Sequence, residues 1–132
     1  MISEIGFVFL ILTLIISSFS FAQLIYSHVN SRSFVFSHLK ITNLIFFFTL
    51  SSFICLTYSF LISDFSLNVV AQNSNSQLPI IYKFTGVWGN HEGSILLWLL
   101  VMTFFGFLFS KNSSATEEFK NNVLKIQNSL CF

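Results

Sequence analysis

Charged side chains are scarce in this chain of 132 residues, of which Lys, Arg, Asp and Glu together make up 8%. Globular domains usually carry about 25% charged residues, so a water-soluble domain could not cover its surface with so few. The formal net charge is only +1, and the basic residues form no stripe that could meet phosphate groups. The scarcity of charge therefore excludes an ordinary soluble domain and argues against a nucleic-acid partner.

Cysteine is also sparse, and the two cysteines are unrelated in position. Cys55 lies inside an apolar run and Cys131 is the next-to-last residue, with no CxxC pair and no ligand-like spacing. A disulfide framework or a zinc site is not expected from this pattern. The sequence also has no nucleophile triad, phosphate-binding loop or paired carboxylates, so it does not indicate a self-contained enzyme.

What the chain does have is long apolar runs, with 54% hydrophobic residues, 19 Phe and a mean hydropathy of +0.77. Three runs, 5–26, 41–63 and 93–110, predict membrane helices. At about 1.5 Å per residue the first spans about 33 Å, which exceeds a hydrocarbon core of roughly 30 Å. It is too long, and its N-terminal flank lacks the basic residues, for a signal peptide. We therefore predict an all-α membrane protein whose segment 1–110 holds three transmembrane helices.

The distribution of Lys and Arg predicts the orientation of these helices. The connection 28–40 contains two basic residues and the tail 111–132 contains three, whereas the long connection 64–90 contains only Lys83. Short loops rich in Lys and Arg stay on the inner side of a membrane. The N-terminus and the long connection are therefore predicted outside, and the C-terminal tail inside.

Two segments outside the apolar runs give weaker signals. Residues 63–71 alternate polar with apolar side chains, which predicts a short extended or interfacial piece. Pro79 ends the polar run that follows, and residues 80–87 lead back to the membrane. In the mixed-charge tail 111–132, apolar residues near helical spacing predict a short amphipathic helix on the membrane surface: Phe119, Val123, Leu124 and Ile126.

The most distinctive stretch is 86–98, a glycine-bracketed polar turn that leads directly into the third apolar run. Two of its glycines, Gly89 and Gly93, are expected to let the backbone bend and approach another surface. The stretch concentrates polar and aromatic side chains at the entrance of a membrane helix. It is the candidate functional loop, and its candidate residues are Trp88, Gly89, His91, Glu92, Gly93 and Ser94.

Each of these side chains has a structural alternative. His91 and Glu92 form an acid–base pair or ligands, or else Glu92 complements the helix dipole while His91 caps the helix or anchors it at the interface. Adjacent residues at a helix start point about 100° apart, which disfavours joint action on one atom. Trp88 is an interfacial anchor, or else it lies on a flat cofactor or packs against a partner, whereas Trp98 is read as an interfacial anchor. The remaining polar candidates are read as solvated loop residues or interface markers: His28, His38 and Asp64.

The sequence closely resembles the N-terminal part of CcmF, the heme lyase component of cytochrome c maturation. The resemblance starts with Met-Ile-Ser-Glu-Ile-Gly at 1–6. It is most specific over 62–100, through Val-Ala-Gln-Asn-Ser-Asn-Ser-Gln-Leu-Pro and Trp-Gly-Asn-His-Glu-Gly-Ser. It implies a multi-pass protein of the mitochondrial inner membrane, or alternatively of a bacterial inner membrane, that supports covalent attachment of heme to apocytochrome c. The composition resembles that of an AT-rich organellar genome, which favours one piece of a split mitochondrial CcmF.

The resemblance also implies which partners act with this chain and which part of the complex binds heme. A heme-carrier protein delivers heme, and a thioredoxin-like, apocytochrome-handling partner and the remaining CcmF pieces act with this chain on apocytochrome c. The family's WWD loop needs a Trp-Trp pair that this sequence lacks, and its three histidines do not match the heme-ligating positions. Heme is therefore expected to be held by the assembled complex and not by this chain alone, with no catalytic or metal-binding residue here.

Two other classes of function remain as alternatives. A structural membrane subunit of a respiratory complex would use the polar loop to dock a neighbour. A proton-path subunit would use Glu92, but it would need an acidic residue deeper in a helix with polar neighbours, and the third run offers none. Neither alternative calls for the Trp-Gly-Asn-His-Glu-Gly-Ser block.

Overall fold

A computed structural model describes residues 2–30, 38–111 and 116–131. Within these ranges the chain forms helices and no strand. The helices, in chain order, are α1 Ile2–Asn30, α2 His38–Leu61, α3 Asn68–Asn73, α4 Ile80–Gly89, α5 His91–Lys111 and α6 Glu117–Leu130.

Three of these helices are long and apolar enough to cross a membrane: Ile2–Tyr26 within α1, and the whole of α2 and α5. The prediction of an all-α membrane protein with three transmembrane helices is confirmed. Large apolar side chains such as Phe7 and Phe105 are mostly exposed on their outer faces. Such faces are stable in lipid or against other apolar helices.

The helices differ in extent from the predicted runs 5–26, 41–63 and 93–110. Both α1 and α5 continue into polar residues at their ends, because a helix satisfies its own backbone donors and acceptors whatever the side chains are. Helix α2, in contrast, ends at Leu61, two residues before the predicted end of its run at residue 63. Ser63 has a φ of 56°, a left-handed conformation that stops the helix.

Helices α1 and α2 pack antiparallel at close range. The Oγ of Ser52 donates a hydrogen bond of 2.9 Å to the carbonyl oxygen of Gly6, and the rings of Phe9 and Phe48 stack with centroids 5.7 Å apart. A Cβ on Gly6 would lie 2.8 Å from the Cβ of Cys55. The glycine therefore permits the close approach, as small residues do between membrane helices.

Helix α5 packs antiparallel against the opposite side of α2. The rings of Phe46 and Phe107 stack with centroids 4.7 Å apart. Near the α5 end, the Oγ of Ser110 donates to the Oδ1 of Asn43 at 3.1 Å. Helix α2 is therefore the central helix, and it places the end of α2 and the start of α5 at one side of the membrane.

The tail forms the predicted helix, α6. It packs against α1, α2 and α5. The buried side chains Lys120, Leu124 and Asn128 recur every four residues and form one face. Phe119 and Ile126, which the sequence pattern placed on the apolar face, are exposed.

Polar contacts hold α6 in this position. The Nδ2 of Asn128 donates to the Oγ1 of Thr42 at 3.0 Å, and the Nε2 of Gln127 donates to the carbonyl oxygen of Met102 at 2.7 Å. Away from water such bonds stabilise helix association because the polar groups have few other partners. These partners lie far away in sequence, so the sequence pattern could not predict the packing of α6, and its position relative to the membrane surface stays a prediction.

Candidate functional site

The chain turns at the end of α2 around Asp64. The Oδ1 of this carboxylate accepts hydrogen bonds from the Ser66 hydroxyl at 2.6 Å and from the Ser66 backbone N–H at 3.2 Å. These bonds form an Asx-type turn, and they lower the pKa of Asp64 because they stabilise its charged form. The turn leads into the short helix α3, so the extended alternative for residues 63–71 is wrong.

Helix α4 follows Pro79, whose φ of −56° is already that of a helix. Trp88 therefore lies in the last turn of a helix and not inside a glycine turn, which corrects the sequence interpretation. The reason is a tertiary contact. Val87 of α4 is fully buried against Phe60 of α2 and Val70 of α3, and this contact stabilises a segment too short to be helical alone.

Trp88 is half-buried beside this small core and packs edge-on against Phe84, with ring centroids 4.9 Å apart and an interplanar angle of 87°. Edge-to-face aromatic pairs are worth about 0.5–1.5 kcal/mol beyond area burial. The contact fixes the indole relative to α4. Trp88 is therefore part of a rigid unit at the end of α2.

Asn90 is the single residue between α4 and α5, and it is 7% exposed. Its Oδ1 accepts from the backbone N–H of Gly93 at 2.7 Å, and its Nδ2 donates to the carbonyl oxygens of Gly86 at 2.7 Å and Val87 at 3.1 Å. One side chain thus caps the start of α5 and the end of α4. The capping alternative for His91 is therefore wrong by one residue, and its alternative as an interfacial anchor stays a prediction.

The signal for Asn90 was present in the sequence. Asn directly before a long apolar run is a preferred N-cap residue. The glycines of the stretch 86–98 predict a turn, however, and a turn has no preceding helix whose carbonyls need donors.

Gly93 allows α4 and α5 to meet. A Cβ on Gly93 would lie 1.6 Å from the carbonyl oxygen of Val87, a distance no side chain could accept. The expectation of close backbone approach is confirmed at this position. A Cβ on Gly89 would meet nothing within 4 Å, and neither glycine has a positive φ. For Gly89 the described part of the chain shows no such approach, and the approach of Gly89 to another surface stays a prediction.

Ser94 strengthens the junction. Its Oγ lies 2.6 Å from the carbonyl oxygen of Trp88 and 2.7 Å from that of Asn90. The hydroxyl shares its one proton between the two carbonyls. The carbonyl of Trp88 lies in the last turn of α4, where a helix leaves acceptors free, whereas the carbonyl of Asn90 also accepts the backbone N–H of Ser94. Ser94 is therefore a structural member of the site.

His91 and Glu92 occupy the first turn of α5, and both are exposed. Glu92 is placed where its charge complements the helix dipole. It also lines a cavity of about 210 Å³ that His91 does not line. The cavity lies between α1, α2, the start of α3 and α5. It is otherwise mostly apolar and is lined by Ser3, Gly6, Phe7, Leu10, Ser52, Leu56, Leu67, Val69 and Leu96.

The other candidates lie apart from this site. Trp98 is 75% exposed on α5. His38 is buried at the start of α2, which corrects its reading as a solvated loop residue, because α1 and α6 pack against α2. The side chain of His28 lies outside the described residues. Among the described residues no group of three or more His, Cys, Asp and Glu could hold a metal ion.

Comparison with known proteins shows clear relatives. The chain is 53% identical over 79 residues to the cytochrome c-type biogenesis protein CycK of Rhizobium meliloti, a match that covers 58% of this chain and 11% of the relative. It is 54% identical over 69 residues to CcmF of Pseudomonas fluorescens, covering 50% and 10% of the two chains. The chain is homologous to the CcmF proteins.

The match to CcmF of Escherichia coli is 45% identical over 60 residues and covers 46% of this chain and 9% of the relative. The chain thus spans about a tenth of the length of the curated CcmF relatives it matches. The predicted resemblance to CcmF is confirmed, and the alternative of a respiratory-complex subunit is not supported. No protein-family model matches the chain, and no solved structure matches it.

Proposed function

We propose that this chain is a membrane segment of a CcmF-type heme lyase that supports covalent attachment of heme to apocytochrome c. The observation that carries the proposal is the identity of 45–54% to proteins named for cytochrome c-type biogenesis. The relatives are much longer, so the role of this chain is that of a contributing segment. The catalytic groups belong to the assembled lyase.

The junction between α4 and α5 is the part of the chain suited to this role. His91 and Glu92 form the exposed surface, and Trp88 supports it from α4. Asn90 and Gly93 fix the geometry through bonds of 2.7 Å and a backbone contact that admits no side chain. A polar surface held this rigidly at a helix entrance is suited to docking another segment in a fixed orientation, since preorganised groups lose little entropy on binding.

In this proposal heme is bound by the assembled complex, at a surface to which His91 and Glu92 contribute. The partners are the remaining CcmF segments, a heme-carrier protein and a thioredoxin-like protein that presents apocytochrome c. The membrane is the inner membrane of a mitochondrion or of a bacterium. Support for these assignments comes from the CcmF relatives and from the three membrane helices.

The test uses His91→Ala and Trp88→Ala, with Trp98→Ala as the matched control. His91 and Trp98 are both exposed, so their loss leaves the core intact. We expect His91→Ala and Trp88→Ala to lower the heme content of cellular cytochrome c, measured by heme-dependent staining and absorption, while Trp98→Ala leaves it unchanged. If neither variant changes heme content or co-purification with the other lyase segments, the proposed role of this surface is wrong.

A pull-down in mild detergent tests the assignment of the whole chain. We expect recovery of polypeptides that carry the Trp-rich loop of the lyase, together with b-type heme visible in the absorption spectrum. Recovery of respiratory-complex subunits without maturation partners would contradict the proposal.

A further inference from the structure

Helix α4 exposes large apolar side chains although it is not a membrane-spanning helix. Ile80 is 72% exposed, Ile81 is 74% exposed and Phe84 is 44% exposed. At ten residues α4 is far too short to cross a bilayer. These three side chains are named here the α4 apolar face. Phe84 is partly covered by Trp88, but the two isoleucines are largely uncovered by the described part of the chain and would be costly to leave in water.

The apolar face occupies one sector of the helix. At about 100° per residue, Ile80, Ile81 and Phe84 lie within an arc of about 100°, which also contains the half-buried Trp88. Gly89 and Tyr82 point to the other side. A third sector, which includes Lys83 and Val87, faces α2. Val87 is buried against Phe60. Helix α4 is therefore amphipathic, with separate packing, apolar and polar sides.

The contacts of α4 fix its level along the membrane normal. Gly86 lies against the ring of Phe60 in the last two turns of α2, since a Cβ there would be 3.4 Å from that ring. The Nζ of Lys83 donates to the Oγ of Ser63, just past the end of α2, at 2.6 Å. The other end of α4 is joined to α5 through Asn90 alone. Helix α4 thus lies beside the end of one spanning helix and the start of another.

We propose that α4 is an interfacial helix and that its apolar face inserts into the lipid bilayer on the side where α2 ends and α5 begins. The level set by Phe60 and Ser63 is the level at which acyl chains give way to headgroups. The face is also continuous, through the one-residue junction, with α5, whose exposed Ile95 and Trp98 face the same leaflet. Amphipathic helices at this depth bury their apolar sides about 5–10 Å into the headgroup and acyl boundary.

Lipid explains the distribution of side chains better than a protein partner does. The face consists of aliphatic and aromatic groups without a hydrogen-bonding group among them, whereas Lys83 at its margin is held by Ser63. Non-obligate protein interfaces are usually rimmed and crossed by polar pairs. The inference requires only that α1, α2 and α5 span a membrane, and it is independent of the role in heme attachment.

The experiment places an environment-sensitive fluorophore on the two sides of α4. The full chain, with Cys55→Ser and Cys131→Ser, carries either Ile81→Cys or the control Gly89→Cys, where an added side chain meets no atom within 4 Å. Each is labelled with a nitrobenzoxadiazole (NBD) group and reconstituted into phosphatidylcholine vesicles at low protein density. Quenching is measured with a nitroxide on the lipid near the headgroup and with aqueous iodide.

The label at position 81 is expected to emit at shorter wavelength, to be quenched by the lipid nitroxide and to be protected from iodide, with the reverse at position 89. Equal iodide quenching at both positions would show that the face lies in water and would overturn the inference. Protection of position 81 from both quenchers would mean that protein, such as a second copy, covers the face, and would overturn it equally.

A second measurement keeps the aromatic character of the face. Phe84→Trp, with Trp88→Phe and Trp98→Phe, leaves one tryptophan in the chain, and vesicles containing brominated lipid report its contact with acyl chains. Quenching by lipids brominated near the headgroup supports the inference. Absence of quenching, in a variant whose helix content equals that of the parent chain, contradicts it.

Discussion

At the scale of single residues, the junction between α4 and α5 requires a particular polar side chain at one position and no side chain at another. Position 90 needs a side chain that both donates and accepts, because Asn90 bonds two carbonyls of α4 and one N–H of α5. Position 93 needs no side chain at all, because the carbonyl oxygen of Val87 occupies the space of a Cβ. Few residue pairs satisfy both requirements, which explains how a polar Asn-His-Glu-Gly stretch forms a rigid structure.

Gly93→Ala is expected to destabilise the chain strongly. The added methyl group must displace the backbone of Val87, which lies 1.6 Å from the Cβ position, and overpacking of this kind costs about 1–3 kcal/mol or more. Gly89→Ala is the matched control, because its methyl group meets nothing and alanine in a helix gains roughly 0.5–1 kcal/mol over glycine. Thermal unfolding in detergent measures both variants. Equal melting temperatures would show that the junction is not as tight as the structure indicates.

Asn90→Ala and Asn90→Asp separate the two functions of the Asn90 side chain. Alanine removes the cap of α5, at a cost of about 0.5–2 kcal/mol, and also leaves the carbonyls of Gly86 and Val87 without their donor. Aspartate keeps an acceptor for the N–H of Gly93 but cannot donate to these carbonyls in its ionised form. We therefore expect Asn90→Asp to retain slow hydrogen exchange at the Gly93 amide while α4 exchanges faster. Fast exchange at Gly93 in Asn90→Asp would contradict this division.

At the scale of elements, the long helices and the short ones differ in how far they could be predicted. Helices α1, α2 and α5 were predictable because about 20 apolar residues in succession have few other stable states in a membrane. Helices α3 and α4 were not, since isolated helices of this length are marginal. Their stability comes from Phe60, Val70 and Val87, which meet only when the chain is folded, so periodicity over a short window could not reveal them.

The docking of α6 is expected to depend on its polar face. Asn128→Ala removes the bond to Thr42 and should weaken the attachment of α6 by about 0.5–1.5 kcal/mol, because the Thr42 hydroxyl keeps its own bond to the carbonyl oxygen of His38. Limited proteolysis after Lys125 measures the attachment, with faster cleavage expected in the variant. Ile126→Ala, at an exposed position, is the control and should leave the cleavage rate unchanged. Faster cleavage in Ile126→Ala alone would show that α6 is held by its other side.

At the scale of the whole molecule, the outer faces of α1 and α5 remain apolar along their length, with Phe7 and Phe105 each more than 60% exposed. Such faces can pack against neighbouring membrane helices at little cost, because the lipid tails that leave the surface are as apolar as the side chains that take their place. Together with a match that covers only about a tenth of each CcmF relative, this fits the proposed role within a larger membrane assembly. The sequence alone could predict the apolar character of these faces but not which of them α6 would cover.

The orientation of the molecule remains a prediction from its charges, and it bears directly on the proposed function. The segments that flank the start of α2 and the end of α5 contain five Lys and Arg residues, whereas the segments on the opposite side of the membrane contain one. The positive-inside rule therefore places the junction at Asn90 on the outer side. The proposed function requires the junction on that side, where the resemblance to CcmF implies that heme is attached. The chain with both native cysteines changed to serine should therefore react with a membrane-impermeant maleimide at Gly89→Cys in intact cells or organelles. Thr116→Cys, at an exposed position before α6, should react only after permeabilisation. The reverse pattern would place His91 and Glu92 on the inner side, where they could not contribute to the proposed surface for heme attachment.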